Sequence, residues 1–83
     1  MKIYDFNGRK NLCGSKVRKA RKERKLSQSE LAAQLQLNGV ILERDSISRI
    51  EAGTRFVTDY ELIMLAKVLK VDLNSLISLS DIS

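Results

Sequence analysis

Histidine, proline and tryptophan are missing from this 83-residue chain, and cysteine occurs once. Without His, and with Cys13 alone, the sequence offers no imidazole general base, no Cys/His metal cluster and no disulfide within one chain. The expectation is therefore a protein that is not an enzyme and takes no metal or cofactor. Cys13 follows Leu12 and reads as a small hydrophobe rather than a redox sensor. There is no apolar run long enough to span a bilayer, nor the hydrophobic segment a signal peptide needs after its basic region, so a cytoplasmic protein with no membrane contact is expected. At 9.4 kDa the chain suffices for one small core.

What is abundant is positive charge, and it is unevenly placed. The net charge is +5, yet residues 1–25 carry ten Lys or Arg against Asp5 and Glu23, a local excess of +8 that leaves −3 for the other 58 residues. A basic end attracts polyanions by Coulomb forces and counterion release, and nucleic acid is the abundant candidate. A solvated helix face rich in Lys and Arg would have the same composition, so charge alone does not decide between them.

Local signals lay out an all-α chain. Residues 1–14 show no sustained period and form an N-terminal tail or arm; Lys2, Arg9 and Lys10 suit an arm on DNA, Tyr4 or Phe6 a packed tail. Ser15 is placed to cap a helix running to about Lys25, with Val17, Ala20 and Arg21 inward. Ser27 and Glu30 have the spacing of a capping box, so a second helix begins at Gln28, with Leu31, Ala32 and Leu35 on its buried face. Gly39 ends it, and Val40, Ile41 and Leu42 plug the core from a loop. A third helix starts between Glu43 and Asp45. On it Ile47 and Ile50 share a buried stripe, Arg44, Asp45, Ser48 and Arg49 gather opposite, and Gly53 supplies a left-handed stop. Thr58 and Glu61 form a second capping box for a helix with Leu62, Leu65, Ala66 and Leu69 inward, ending near Lys70. Asp72 caps a short fifth helix with Leu73, Leu76 and Ile77. The domain thus spans 15–79, and residues 80–83 fray.

Taken together, Arg21, Gln28, Leu31, Ala32, Ile47, Ser48, Ile50, Glu51, Gly53, Leu62, Leu65, Ala66, Leu69 and Val71 resemble, in order and spacing, the helix-turn-helix domain of phage repressors and Cro, the Xre type. The resemblance implies a five-helix repressor-like bundle with helices 2 and 3 as the helix-turn-helix. It implies a sequence-specific double-stranded-DNA-binding transcriptional regulator acting as a homodimer on a pseudo-palindromic operator, with helix 3 in the major groove. On this chain Gln28 would hold a phosphate, Arg44, Asp45, Ser48 and Arg49 would face base edges, the loop carrying Arg55 would meet the backbone, and Arg21 would pair with Glu51. Asp45 could instead cap its helix or orient Arg49. Arg suits base reading because its guanidinium donates two parallel bonds to guanine.

Two positions depart from the family's pattern. The path from Leu35 to Ile47 is about five residues longer than a 3–4-residue turn requires. Lys25 stands where relatives place Gly to end helix 1, so positive φ or a reshaped turn is expected there. The alternative function is a protein-interaction module, antitoxin-like or partner-sensing, for an unknown protein partner; the apolar stripe Tyr60, Met64, Val68 supports it. For the homodimer, the expected contact is helix 5 and the tail through Leu73, Leu79 or Ile82, with the Tyr60 stripe as second choice.

Overall fold

The computed structural model describes residues 6–82. Its helices are α1 (Gly14–Glu23), α2 (Gln28–Leu37), α3 (Arg44–Ala52) and α4 (Asp59–Leu69), followed by 3-10 turns at Leu73–Ser75 and Leu79–Asp81. No strand occurs among the described residues; the β-like feature is a bridge between Phe6 and Arg9. Asn7 and Gly8, both at positive φ, close that bridge as a tight turn. Lys2 and Tyr4, read as arm or anchor residues, lie outside the described residues.

The helices begin much as their sequences dictate. In α2 the Ser27 hydroxyl accepts from the Glu30 amide at 3.0 Å, and the Glu30 carboxylate accepts from the Ser27 amide at 2.8 Å. Those bonds to Ser27 hold the Glu30 carboxyl below the usual glutamate range. Thr58 and Glu61 repeat the arrangement at α4. Helix α1 departs from expectation: it starts at Gly14, one residue before Ser15, and Asn11 supplies the capping bond by accepting from the Gly14 amide at 2.8 Å. Ser15 is an exposed residue inside the helix.

All four helices end the same way. After α1, Leu26 N–H reaches Arg21 O while Lys25 N–H reaches Lys22 O; the same pair of backbone bonds closes α2 at Gly39, α3 at Gly53 and α4 at Lys70. Each is a Schellman motif, whose central residue must be left-handed. Gly53 meets this at φ +81°, whereas Lys25 (+58°) and Lys70 (+57°) meet it with a side chain attached. The positive φ expected at Lys25 is therefore present, and the helix ends without the Gly of its relatives because the six-residue hydrogen-bond pattern outweighs the roughly 1–2 kcal/mol of steric cost.

Leu31 and Leu35 of α2, Ile47 and Ile50 of α3, Leu65 and Leu69 of α4, Val17 of α1 and Leu76 form the fully buried centre. Cys13 joins this core, and burial pushes its thiol pKa up, which keeps it protonated and inert. Val40 and Leu42 insert from the α2–α3 turn as expected, while Ile41 between them points to solvent. The longer turn is thus a plug that fills space between α2 and α3.

The C-terminal region is tighter than its sequence suggests. The fifth helix is a single 3-10 turn, and Asp72 occupies its N-cap position without a side-chain cap bond. Leu76 is fully buried while Leu73 and Leu79 are exposed, so a single short turn suffices to place the side chain that enters the core. Within the stretch 80–83, read as frayed, Asp81 accepts from the Ser78 amide and forms a 2.6 Å ion pair with Lys16 of α1.

Candidate nucleic-acid interface

Helix α3 has two chemically distinct sides. Ile47, Ile50 and Glu51 are buried against α1 and α2, while Arg44, Asp45 and Arg49 are exposed and Ser48 is half-buried beside them. The expected division of faces is what the structure has. Asp45 lies in the first turn, where a carboxylate favours the positive end of the helix dipole. It neither caps the helix nor pairs with Arg49 among the described residues; Glu43 holds the N-cap position, with no side-chain cap bond.

Behind this face sits a buried polar knot. Arg21 of α1 donates from Nε to Glu51 Oε2 at 2.7 Å, from Nη2 to Glu51 Oε1 at 2.9 Å and from Nη1 to Leu26 O at 2.8 Å. Both residues are 8% exposed. The hydrogen bonds it donates to Glu51 raise the Arg21 guanidinium pKa above its ordinary value. One carboxylate thereby ties α3 to α1 and, through Leu26 O, to the turn that leads into α2.

Gln28 joins the same knot. Its side-chain amide donates to Glu51 Oε1 at 3.1 Å, so at rest it faces an internal carboxylate, with its main-chain N–H at the start of α2. Gln28, Ser48, Arg18 and Ala52 line an open cleft of about 300 Å³ together with the buried Arg21 and Glu51. Since Arg21 is neutralised by Glu51, Arg18 is the cation that this cleft presents outward. Sequence reasoning did not single out Arg18; its place three residues before Arg21, hence on an adjoining edge of the helix, was the signal available.

Arg55 is engaged differently from expectation. Its guanidinium grips Glu61 at 3.0 and 3.2 Å and also donates to Phe56 O at 2.8 Å. Glu61 is therefore both capping-box carboxylate and ion-pair partner. Burial pushes its pKa up, but Arg55 and the Thr58 bonds outweigh that and leave it below the usual range. This pair fixes the α3–α4 loop.

The Phe6–Leu12 segment completes the frame; sequence reasoning offered a packed tail here but missed Asn11, through which it is tied. Asn11 Nδ2 donates to Ile50 O at 3.0 Å and to Arg55 O at 2.8 Å, while the Lys10 amide donates to Gly53 O at 2.8 Å. Lys10 Nζ lies 5.6 Å from the centre of the Phe56 ring, a cation–π contact. Gly14 permits the approach, since a Cβ there would stand 2.2 Å from Ile50 O.

Comparison with known proteins agrees with this geometry. The family model described as a helix-turn-helix domain matches residues 14–82. Among solved structures, the restriction-modification controller protein C.AhdI from Aeromonas hydrophila is similar, with a TM-score of 0.69 and 28% identity over 80% of this chain and 91% of that one. No curated protein matches.

Proposed function

This chain belongs to the helix-turn-helix domain family, of the Xre type, and we propose that it is a DNA-binding transcriptional regulator that reads duplex DNA through the outward face of α3. The observation that carries the reading is the division of α3. Ile47, Ile50 and Glu51 lock its inner side into the bundle, leaving Arg44, Asp45, Ser48 and Arg49 as a hydrogen-bonding side with no structural duty. A helix so held presents base-reading groups at fixed positions. Gln28 and the added Arg18 flank this face and supply phosphate contacts, which position the domain without reading sequence. Arg55 keeps only its donors not bound to Glu61 and Phe56 for a phosphate, so its main contribution is to hold the loop in place.

The protein acts by binding rather than catalysis, and in the cytoplasm. No helix among the described residues is long and apolar enough to cross a membrane. A nine-residue helix reads only a few base pairs, so a homodimer on two half-sites gives useful specificity. Leu73, Leu79 and Ile82 expose apolar surface suited to that contact. Of the competing stripe, Val68 is in the core and Met64 packs against it, leaving Tyr60 exposed. The stripe that favoured a protein-interaction module is thereby reduced to Tyr60, with Ile63 exposed beside it on α4.

Selection from a random duplex library with the protein alone tests this reading. Arg49→Ala should lose about 1–3 kcal/mol on the selected duplex and little on a shuffled one. Equal loss on both would mean that α3 touches only backbone. Sedimentation on the selected duplex should show two chains per site.

A further inference from the structure

We propose that Asn11, backed by Arg9, is a positioning residue for DNA reading: it sets the pose of the last turn of α3 and of the loop that follows. This rests on the reading of α3 as the DNA-facing helix. Three elements meet at the Asn11 side chain. Its Oδ1 accepts from Gly14 N–H at the start of α1, and its Nδ2 donates to Ile50 O in α3 and to Arg55 O in the loop. Both amide hydrogens and the carbonyl are thereby used.

Neighbouring groups act on the same turn. The Lys10 amide satisfies Gly53 O, and the Arg9 guanidinium lies on Gly53, in the space a Cβ would occupy within 2.5 Å of Arg9 Cζ. Arg9 Nη2 also reaches Glu51 O at 3.5 Å, a long contact. A helix leaves its last carbonyls without partners inside itself, and its C-terminal end favours a cation. Here the backbone of Thr54 and Gly53 satisfies Arg49 O and Ile50 O, while the Phe6–Asn11 segment supplies donors to Ile50 O and Gly53 O. Ile50 and Glu51 adjoin Arg49 and Ser48 in the chain, so a shift of this turn carries the reading side chains with it. Base contacts tolerate displacements well below 1 Å.

The test separates the donors from the cap. Asn11→Asp retains an acceptor for Gly14 N–H but turns carboxylate oxygen toward two carbonyls, so α1 stays capped and the tether is lost. Leu76→Ala, a buried site beyond α4, serves as a destabilised comparison. The full-length variants are measured at a temperature where all are folded, for amide exchange at residues 50–56 and for the affinity ratio between a selected and a shuffled duplex. Asn11→Asp should speed exchange in this stretch and lower the ratio about tenfold, the size of one mismatched base pair. Leu76→Ala should leave the ratio unchanged. A discriminating wild type beside an equally discriminating Asn11→Asp would overturn the inference alone. A wild type with no duplex preference would overturn the reading of α3 and this inference with it.

Discussion

Replacing Glu51 with Ala should unfold the domain at a temperature more than 10 °C below wild type. The carboxylate accepts two hydrogen bonds from Arg21, at 2.7 and 2.9 Å, and one from Gln28 at 3.1 Å. Its side chain is 4% exposed and that of Arg21 10%. Removing it strands a guanidinium that retains only Leu26 O among its protein partners, and breaking a buried pair from one side costs about 3–5 kcal/mol. A domain of this size has roughly 4–12 kcal/mol of total stability. At about 4–8 °C per kcal/mol, the expected fall in Tm exceeds 10 °C. Calorimetry on Glu51→Ala, Arg21→Met and the double variant Arg21→Met/Glu51→Leu would check the reasoning. The double variant should recover much of the loss, because it leaves no unpaired charge and fills the same space with apolar atoms. A Glu51→Ala chain melting within about 3 °C of wild type would refute the argument.

The left-handed lysines predict an easy gain: Lys25→Gly should stabilise by about 1 kcal/mol, the steric relief less the added freedom of the unfolded chain, as read by urea denaturation. The Arg55–Glu61 pair predicts acid sensitivity. The folded pKa of Glu61 lies below its ordinary value, so its stabilisation is present above that value and is lost as pH falls through the folded one. Stability measured against pH should fall more steeply below about pH 4 in wild type than in Glu61→Gln. Arg55→Ala should lower Tm by several degrees, because it leaves Glu61 buried without its cation, and a salt titration of DNA binding should change less than a phosphate-only role would require.

Much of the frame is legible because its signals are local. Ser27 and Glu30, or Thr58 and Glu61, stand three residues apart and carry their own geometry, so α2 and α4 begin where their sequences place them. The faces of α3 follow from Ile47 and Ile50 for the same reason. Asn11 is illegible as a tether because its partners Ile50 and Arg55 lie 39 and 44 residues away. Only its spacing of three to Gly14 was readable, and Ser15 competed for that role. Arg55 misleads for a different reason. A Glu in a capping box satisfies the local rule completely, which hides its capacity to accept from a cation six residues earlier. The short C-terminal turn was hidden because Leu73, Leu76 and Ile77 have helical spacing, although Leu76 is fully buried and Leu73 is exposed.

The same bonds explain why total charge is a poor guide to this interface. Lys16 pairs with Asp81, Arg21 with Glu51 and Arg55 with Glu61. These three cations hold α1 to the C-terminal turn, α3 to α1, and the loop to α4. A phosphate that recruited them would have to replace a carboxylate already at hydrogen-bond distance, which offers little net gain. Arg18, Arg44 and Arg49 have no such ion pair among the described residues, and they surround the cleft and outer face of α3. Charge that builds the fold and charge left available to a polyanion are thus separate sets of residues. If α3 reads bases, its pose is held at its last turn, where Glu51 is bonded to Arg21 of α1 and Ile50 O to Asn11.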